Sequence, residues 1–169
     1  MKAIAAMGAL LVACSSGGGG GNDGGGDVIG TPYDAGGDAG GINCNPIPNV
    51  GMTVNATSMM GAPPTMTGGT LVEGTYVETG YVYYNGMSAS GTHKETLVFA
   101  NGTVKNINSD NGKPDVMLAG TYATSGNMLT MNIVCPMMGT VNFTYTATPT
   151  TLAFITSTSP NKVETWTKQ

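Results

Sequence analysis

The side chains able to do chemistry are few, which narrows the possibilities. His93 is the only histidine, and Glu95 stands two residues on, so extended backbone puts both on one face. A histidine beside a carboxylate is half of a nucleophilic triad, but no Gly-x-Ser-x-Gly elbow presents a serine to it. The pair is therefore expected to be solvated near a strand end. Glu73 and Glu78 alternate to opposite faces of a regular strand and do not form a carboxylate pair for acid–base work. Met59-Met60 and Met137-Met138 offer soft thioethers of the kind that hold Cu(I). They lack nearby histidine and are expected to fill packing gaps instead. The tandem Asp34-Ala-Gly-Gly-Asp38-Ala-Gly-Gly has carboxylates but neither the period nor the recurring apolar residue of a stacked calcium repeat. The expectation is a non-enzyme with no cofactor and no metal.

A different chemistry is written around Cys14. Lys2 is followed by an uncharged run over residues 3–13, ending in Leu11-Val12-Ala13, then Cys14, Ser15 and Ser16. This is the layout of a secretory signal cut just before the cysteine. The run is too short to span a bilayer, which takes about 20 apolar residues. The stretch resembles the lipobox of bacterial lipoproteins. That resemblance implies that Cys14 becomes the first mature residue and carries a diacylglycerol on its thiol, with the new amino group acylated as well. Two or three acyl chains make attachment to a membrane practically permanent. Ser15, where inner-membrane retention commonly uses aspartate in that family, favours the outer membrane.

With Cys14 acylated, Cys44 and Cys135 remain, an even pair in an exported chain. Cys-x-x-Cys spacing is absent, so a structural disulfide is expected rather than a redox or metal site. Residues 14–43 are rich in glycine with scattered aspartates and have little to bury, as in a flexible, soluble tether. Residues 44–69 mix proline and methionine without a steady period and read as irregular chain.

From residue 70 to 169 the texture changes to short segments rich in threonine, valine and tyrosine, an all-β pattern. Strands are predicted over 71–84, 92–99, 103–107, 116–124, 128–134, 140–147, 151–157 and 163–168. Asn85-Gly86, Asn101-Gly102 and Ser125-Gly126-Asn127 supply turn residues tolerant of positive φ. Leu97 and Phe99; Leu129, Met131 and Ile133; Val141, Phe143 and Tyr145; and Leu152 and Phe154 recur every second residue, so one face is buried. Eight strands joined by short turns hide their edges by closing, which predicts a small antiparallel up-and-down β-barrel.

Gly120-Thr-Tyr122, Ser125-Gly-Asn-Met-Leu-Thr130, Phe143-Thr-Tyr145 and Glu164-Thr-Trp166-Thr-Lys168 resemble the small lipocalin-like domains of bacterial envelope lipoproteins. The resemblance implies an eight-stranded calyx taking small apolar molecules in its interior or mouth. Tyr76, Tyr122 and Tyr145 are the candidate ligand contacts, each joining aromatic surface to a hydroxyl. The alternative is a filled barrel acting as a structural or protein-interaction module. Nucleic acid is excluded as a partner: arginine is absent, and six lysines face ten acids, for a net charge of -4.

Overall fold

The structure, a computed structural model, describes residues 42–169. The expected signal segment, Cys14 and the glycine-rich residues up to Gly41 lie outside the described residues. Among the described residues there are ten strands: β1 (Val54–Asn55), β2 (Thr57–Ser58), β3 (Gly74–Tyr83), β4 (Thr92–Ala100), β5 (Thr103–Asp110), β6 (Val116–Ser125), β7 (Met128–Cys135), β8 (Gly139–Ala147), β9 (Thr151–Thr156) and β10 (Lys162–Lys168). Strands β3 to β10 each pair antiparallel with the next, and β10 returns to pair with β3. The predicted eight-stranded barrel is therefore closed.

The turns follow the local chemistry. Asn85, Asn101 and Asn111 take positive φ, each followed by a glycine that does the same. Two successive positive-φ residues match the right-handed twist of flanking strands, and asparagine and glycine adopt that conformation most readily. The alternation also holds. Tyr76, Leu97, Phe99, Val104, Leu129, Met131, Tyr145, Leu152, Phe154 and Trp166 form one buried cluster inside the barrel. Val141 is the exception, exposed at the rim.

Closure is uneven between β3 and β4. They pair only from Gly74 to Val77 against Phe99 to Thr96, and beyond that point they diverge. The N-terminal segment enters the gap. Val54 and Asn55 pair with His93 and Thr92, while Thr57 and Ser58 pair in parallel with Val82 and Tyr83. Backbone edges that would otherwise be open are thus covered.

The chain before β1 runs as a strap over the outer barrel wall. Register places Thr96, Ile107 and Met117 in one outward row across β4, β5 and β6. All three are buried. Thr96 Oγ1 accepts from the backbone N–H groups of Val50 and Gly51 and donates to Asn49 Oδ1. Ile42 packs with Met117, Ala119 and Cys135, and the expected Cys44–Cys135 disulfide anchors this end, with Cα atoms 5.9 Å apart. Of the methionines in the irregular stretch, Met66 is buried, but Met52, Met59 and Met60 are exposed, as are Met137 and Met138. The expectation that the two paired clusters fill gaps is corrected, because they lie beyond the rows that the strap covers.

Gly51 shows how closely the strap lies. A Cβ there would stand 2.6 Å from the backbone oxygen of Glu95. Gly51→Ala is expected to cost about 1–3 kcal/mol through forced displacement of the strap, measured as a lower urea midpoint at unchanged slope. An unchanged midpoint would show that the strap contributes nothing to stability.

Candidate functional site

The barrel interior is apolar at one end and polar at the other. Along β4 the inward stripe reads Phe99, Leu97, Glu95, His93; along β10 it reads Trp166, Glu164, Lys162. The polar end lies where β3 and β4 part, beside the inserted β1 and β2. Here sequence reasoning about His93 and Glu95 is corrected. Both are buried, as are Glu78, Asn106 and Glu164, because closure and the strap cover a strand end that would otherwise meet water.

Glu78 enters this group from β3. A register shift between Thr165 and Trp166 places Trp166 opposite Glu78, which is 1% exposed. Glu78 Oε2 lies 2.5 Å from His93 Nδ1, and Glu95 Oε2 lies 3.8 Å from the same nitrogen. On the far side of the ring, Nε2 is 3.4 Å from Asp110 Oδ1. Tyr81 stacks on the imidazole with centroids 4.9 Å apart and bonds to Tyr83 through its hydroxyl. Asn106 donates to Glu95 Oε1, and Lys162 Nζ holds Glu164 at 2.5 Å while lying over the Tyr81 ring. Two buried polar atoms have no partner among the described residues: Glu78 Oε1 and Trp166 Nε1.

The electrostatics follow from burial and crowding. Burial lifts Glu78 above the ordinary carboxylate range, against the pull of His93. Burial, then the charges of Glu164 and Glu78, push Glu95 up to about 8. For His93, burial alone would favour the neutral ring, but the bond to Glu78 and the surrounding carboxylates outweigh it and raise the group to about 9. Burial likewise opposes the charge on Lys162, yet Glu164 holds its pKa above the ordinary lysine value. The Glu78–His93 pair as a unit retains protons above their usual range.

A pH dependence with a defined sign results. Groups whose folded pKa is raised bind more protons in the native state, so stability falls as pH rises through the interval between unfolded and folded values. For Glu95 that interval runs from 4.5 to about 8, and for His93 from 6.5 to about 9. In metal-free buffer the domain is expected to melt at a higher temperature at pH 5 than at pH 9. A midpoint that rises over that range would contradict the assignment.

Below the polar end lies a cavity of about 160 Å³. Leu97, Val104, Met131, Phe143, Phe154 and Trp166 make its apolar wall, and Glu95, Glu164, Asn106, Asn108 and Thr156 make its polar one. A hollow of about 350 Å³ lies under the strap, against Ile107 and Met117, but it is outside the barrel.

The three candidate tyrosines lie elsewhere. Tyr76 and Tyr145 are buried in the apolar end, where their hydroxyls donate to the backbone oxygens of Val72 and Gly69. Tyr122 is half-buried and its hydroxyl donates to Glu73. None of them lines the cavity. Their hydroxyls reach the segment before β3 instead, closing the barrel base.

Compared with known proteins, the chain matches no protein-family model, no curated protein and no solved structure.

Proposed function

We propose that this chain is a lipid-anchored cell-envelope protein whose lipocalin-like barrel holds a small molecule in its lumen. The observation that carries the ligand part is the cavity of about 160 Å³, apolar below and hydrogen-bonding above. It is smaller than the roughly 300–1,000 Å³ of sites for drug-sized ligands. A cavity of about 150 Å³ accepts a benzene-sized body. The fitting ligand is one small apolar group with a single donor, such as a monocyclic aromatic amine, its ring against Phe154 and Trp166 and its donor toward Glu95 or Glu164. The anchor reading rests on the residues before and at Cys14, and a disulfide fits an oxidising compartment outside the cytoplasm.

Trp166 is the only tryptophan and it lines the cavity, so its emission reports occupancy. Titration with aniline-sized amines is expected to change that emission saturably, while bicyclic analogues leave it unchanged. No saturable response to any ring of that size would defeat the ligand part. The anchor is tested separately: a Cys14→Ala chain that still partitions with membranes after export would defeat it. The small lumen favours one alternative, a filled barrel that presents its exterior to another envelope protein without holding a ligand.

A further inference from the structure

We propose that Glu78, His93 and Glu95 form a binding site for one divalent transition-metal ion of the zinc class. Each offers a ligand atom, and these atoms all lie within 4.8 Å of one another, on buried side chains. Two ligands bound at about 2.1 Å in tetrahedral geometry stand about 3.4 Å apart. The distances from His93 Nδ1 to the two carboxylates, 2.5 and 3.8 Å, straddle that spacing.

Two further observations point to a ligand rather than a simple ion pair. Glu78 Oε1 is buried without a hydrogen-bond partner, although buried carboxylate oxygens are ordinarily bonded. The imidazole is also oriented as metal-bound rings are, with one nitrogen toward the ligand carboxylates and the other facing an outer carboxylate, Asp110. Charge agrees. A ligating imidazole is neutral. Three buried carboxylates, Glu78, Glu95 and Glu164, then face the single ammonium of Lys162, leaving two negative charges for one divalent cation.

The donor set selects among cations. One imidazole and two carboxylates suit zinc and its first-row neighbours, whereas calcium takes six to eight oxygens and magnesium keeps several waters. Glu164 is held by Lys162 and stays outside the ligand set. Glu95 also lines the lumen, which gives the ion a route in. The site stands whether or not an organic ligand occupies the cavity.

The test uses the full chain, stripped of metal by chelation and dialysed against Zn²⁺ with excess Mg²⁺ and Ca²⁺. One Zn²⁺ per chain is expected. Glu78→Gln and His93→Gln are expected to weaken it at least about 100-fold, and Asp110→Asn about 10-fold, the scale of an outer-shell loss. Replacing Met59, Met60, Met137 and Met138 leaves uptake unchanged. The unmodified chain supplies a readout that needs no variant: His93 is the only histidine, so Co²⁺ should carry its ring-proton resonances far outside their normal range. Absence of one-to-one uptake, uptake that leaves those resonances in place, or full affinity in a folded Glu78→Gln chain would each overturn the site. Such a failure leaves the lumen reading intact, because Trp166 emission tests that reading with organic rings alone.

Discussion

A chain in which Cys44 and Cys135 are both alanine is expected to lose about 4 kcal/mol of unfolding free energy. The two cysteines are 91 residues apart in sequence, and their bond joins the start of the strap to the end of β7. In the chain-entropy account, a crosslink closing about 100 residues removes close to 4.7 kcal/mol of freedom from the unfolded state. The native strap keeps other attachments after the bond is lost, among them the hydrogen bonds of Asn49, Val50 and Gly51 to Thr96 and the β1 and β2 pairings. The folded form therefore survives, and the loss is registered mainly through the unfolded chain. Urea unfolding of the double variant, and of the unmodified protein under reducing conditions, should give coincident curves at a lower midpoint. A loss under about 1 kcal/mol would mean that the unfolded chain is already constrained near these residues.

The strand framework was legible because two signals agree along it. Alternation marks the buried face of β4, β7 and β9, and Asn-Gly pairs mark turns whose twist joins neighbouring strands. The predicted limits differ from those observed chiefly at β3, which begins at Gly74, and at β5, which continues to Asp110. The polar site was half legible. Parity puts His93 and Glu95 on the stripe of Leu97 and Phe99, and Glu164 on that of Trp166, so three polar residues sharing the core face were a usable signal. What parity omits is depth. Whether an inward side chain at a strand end meets water depends on where β3 and β4 diverge and on what fills the gap, and a stretch with no period of its own fills it. The contribution of Glu78 depends further on the register shift in β10, which alternation cannot show.

The tyrosines illustrate the converse. Alternation placed Tyr145 on the buried face, and both it and Tyr76 are buried. Their hydroxyl partners, Val72 and Gly69, belong to irregular chain and so could not be read from period or spacing. The cavity instead took its aromatic wall from Phe143, Phe154 and Trp166, of which Trp166 comes from the last strand.

Trp166→Ala is expected to cost about 3–5 kcal/mol, the range for emptying a buried large aromatic site. The indole is 1% exposed, its centroid is 4.5 Å from that of Phe154, and its cross-strand neighbours are Leu152 and Glu78. A closed barrel relaxes poorly around such a loss, because each strand is held on both sides by its ladder. Trp166→Phe isolates the packing from the polar atom: it keeps a ring and deletes an N–H that has no partner among the described residues. Removing an unsatisfied buried donor offsets part of the lost contact, so the phenylalanine chain is expected within about 1 kcal/mol of the original. Thermal unfolding followed by circular dichroism measures both, since neither variant retains a tryptophan to report by fluorescence. The alanine chain should also gain lumen volume and accept the bicyclic amines that the original excludes, measured by calorimetry. If alanine and phenylalanine prove equally costly, a single aromatic ring at this position contributes nothing, and the aromatic wall would need another foundation.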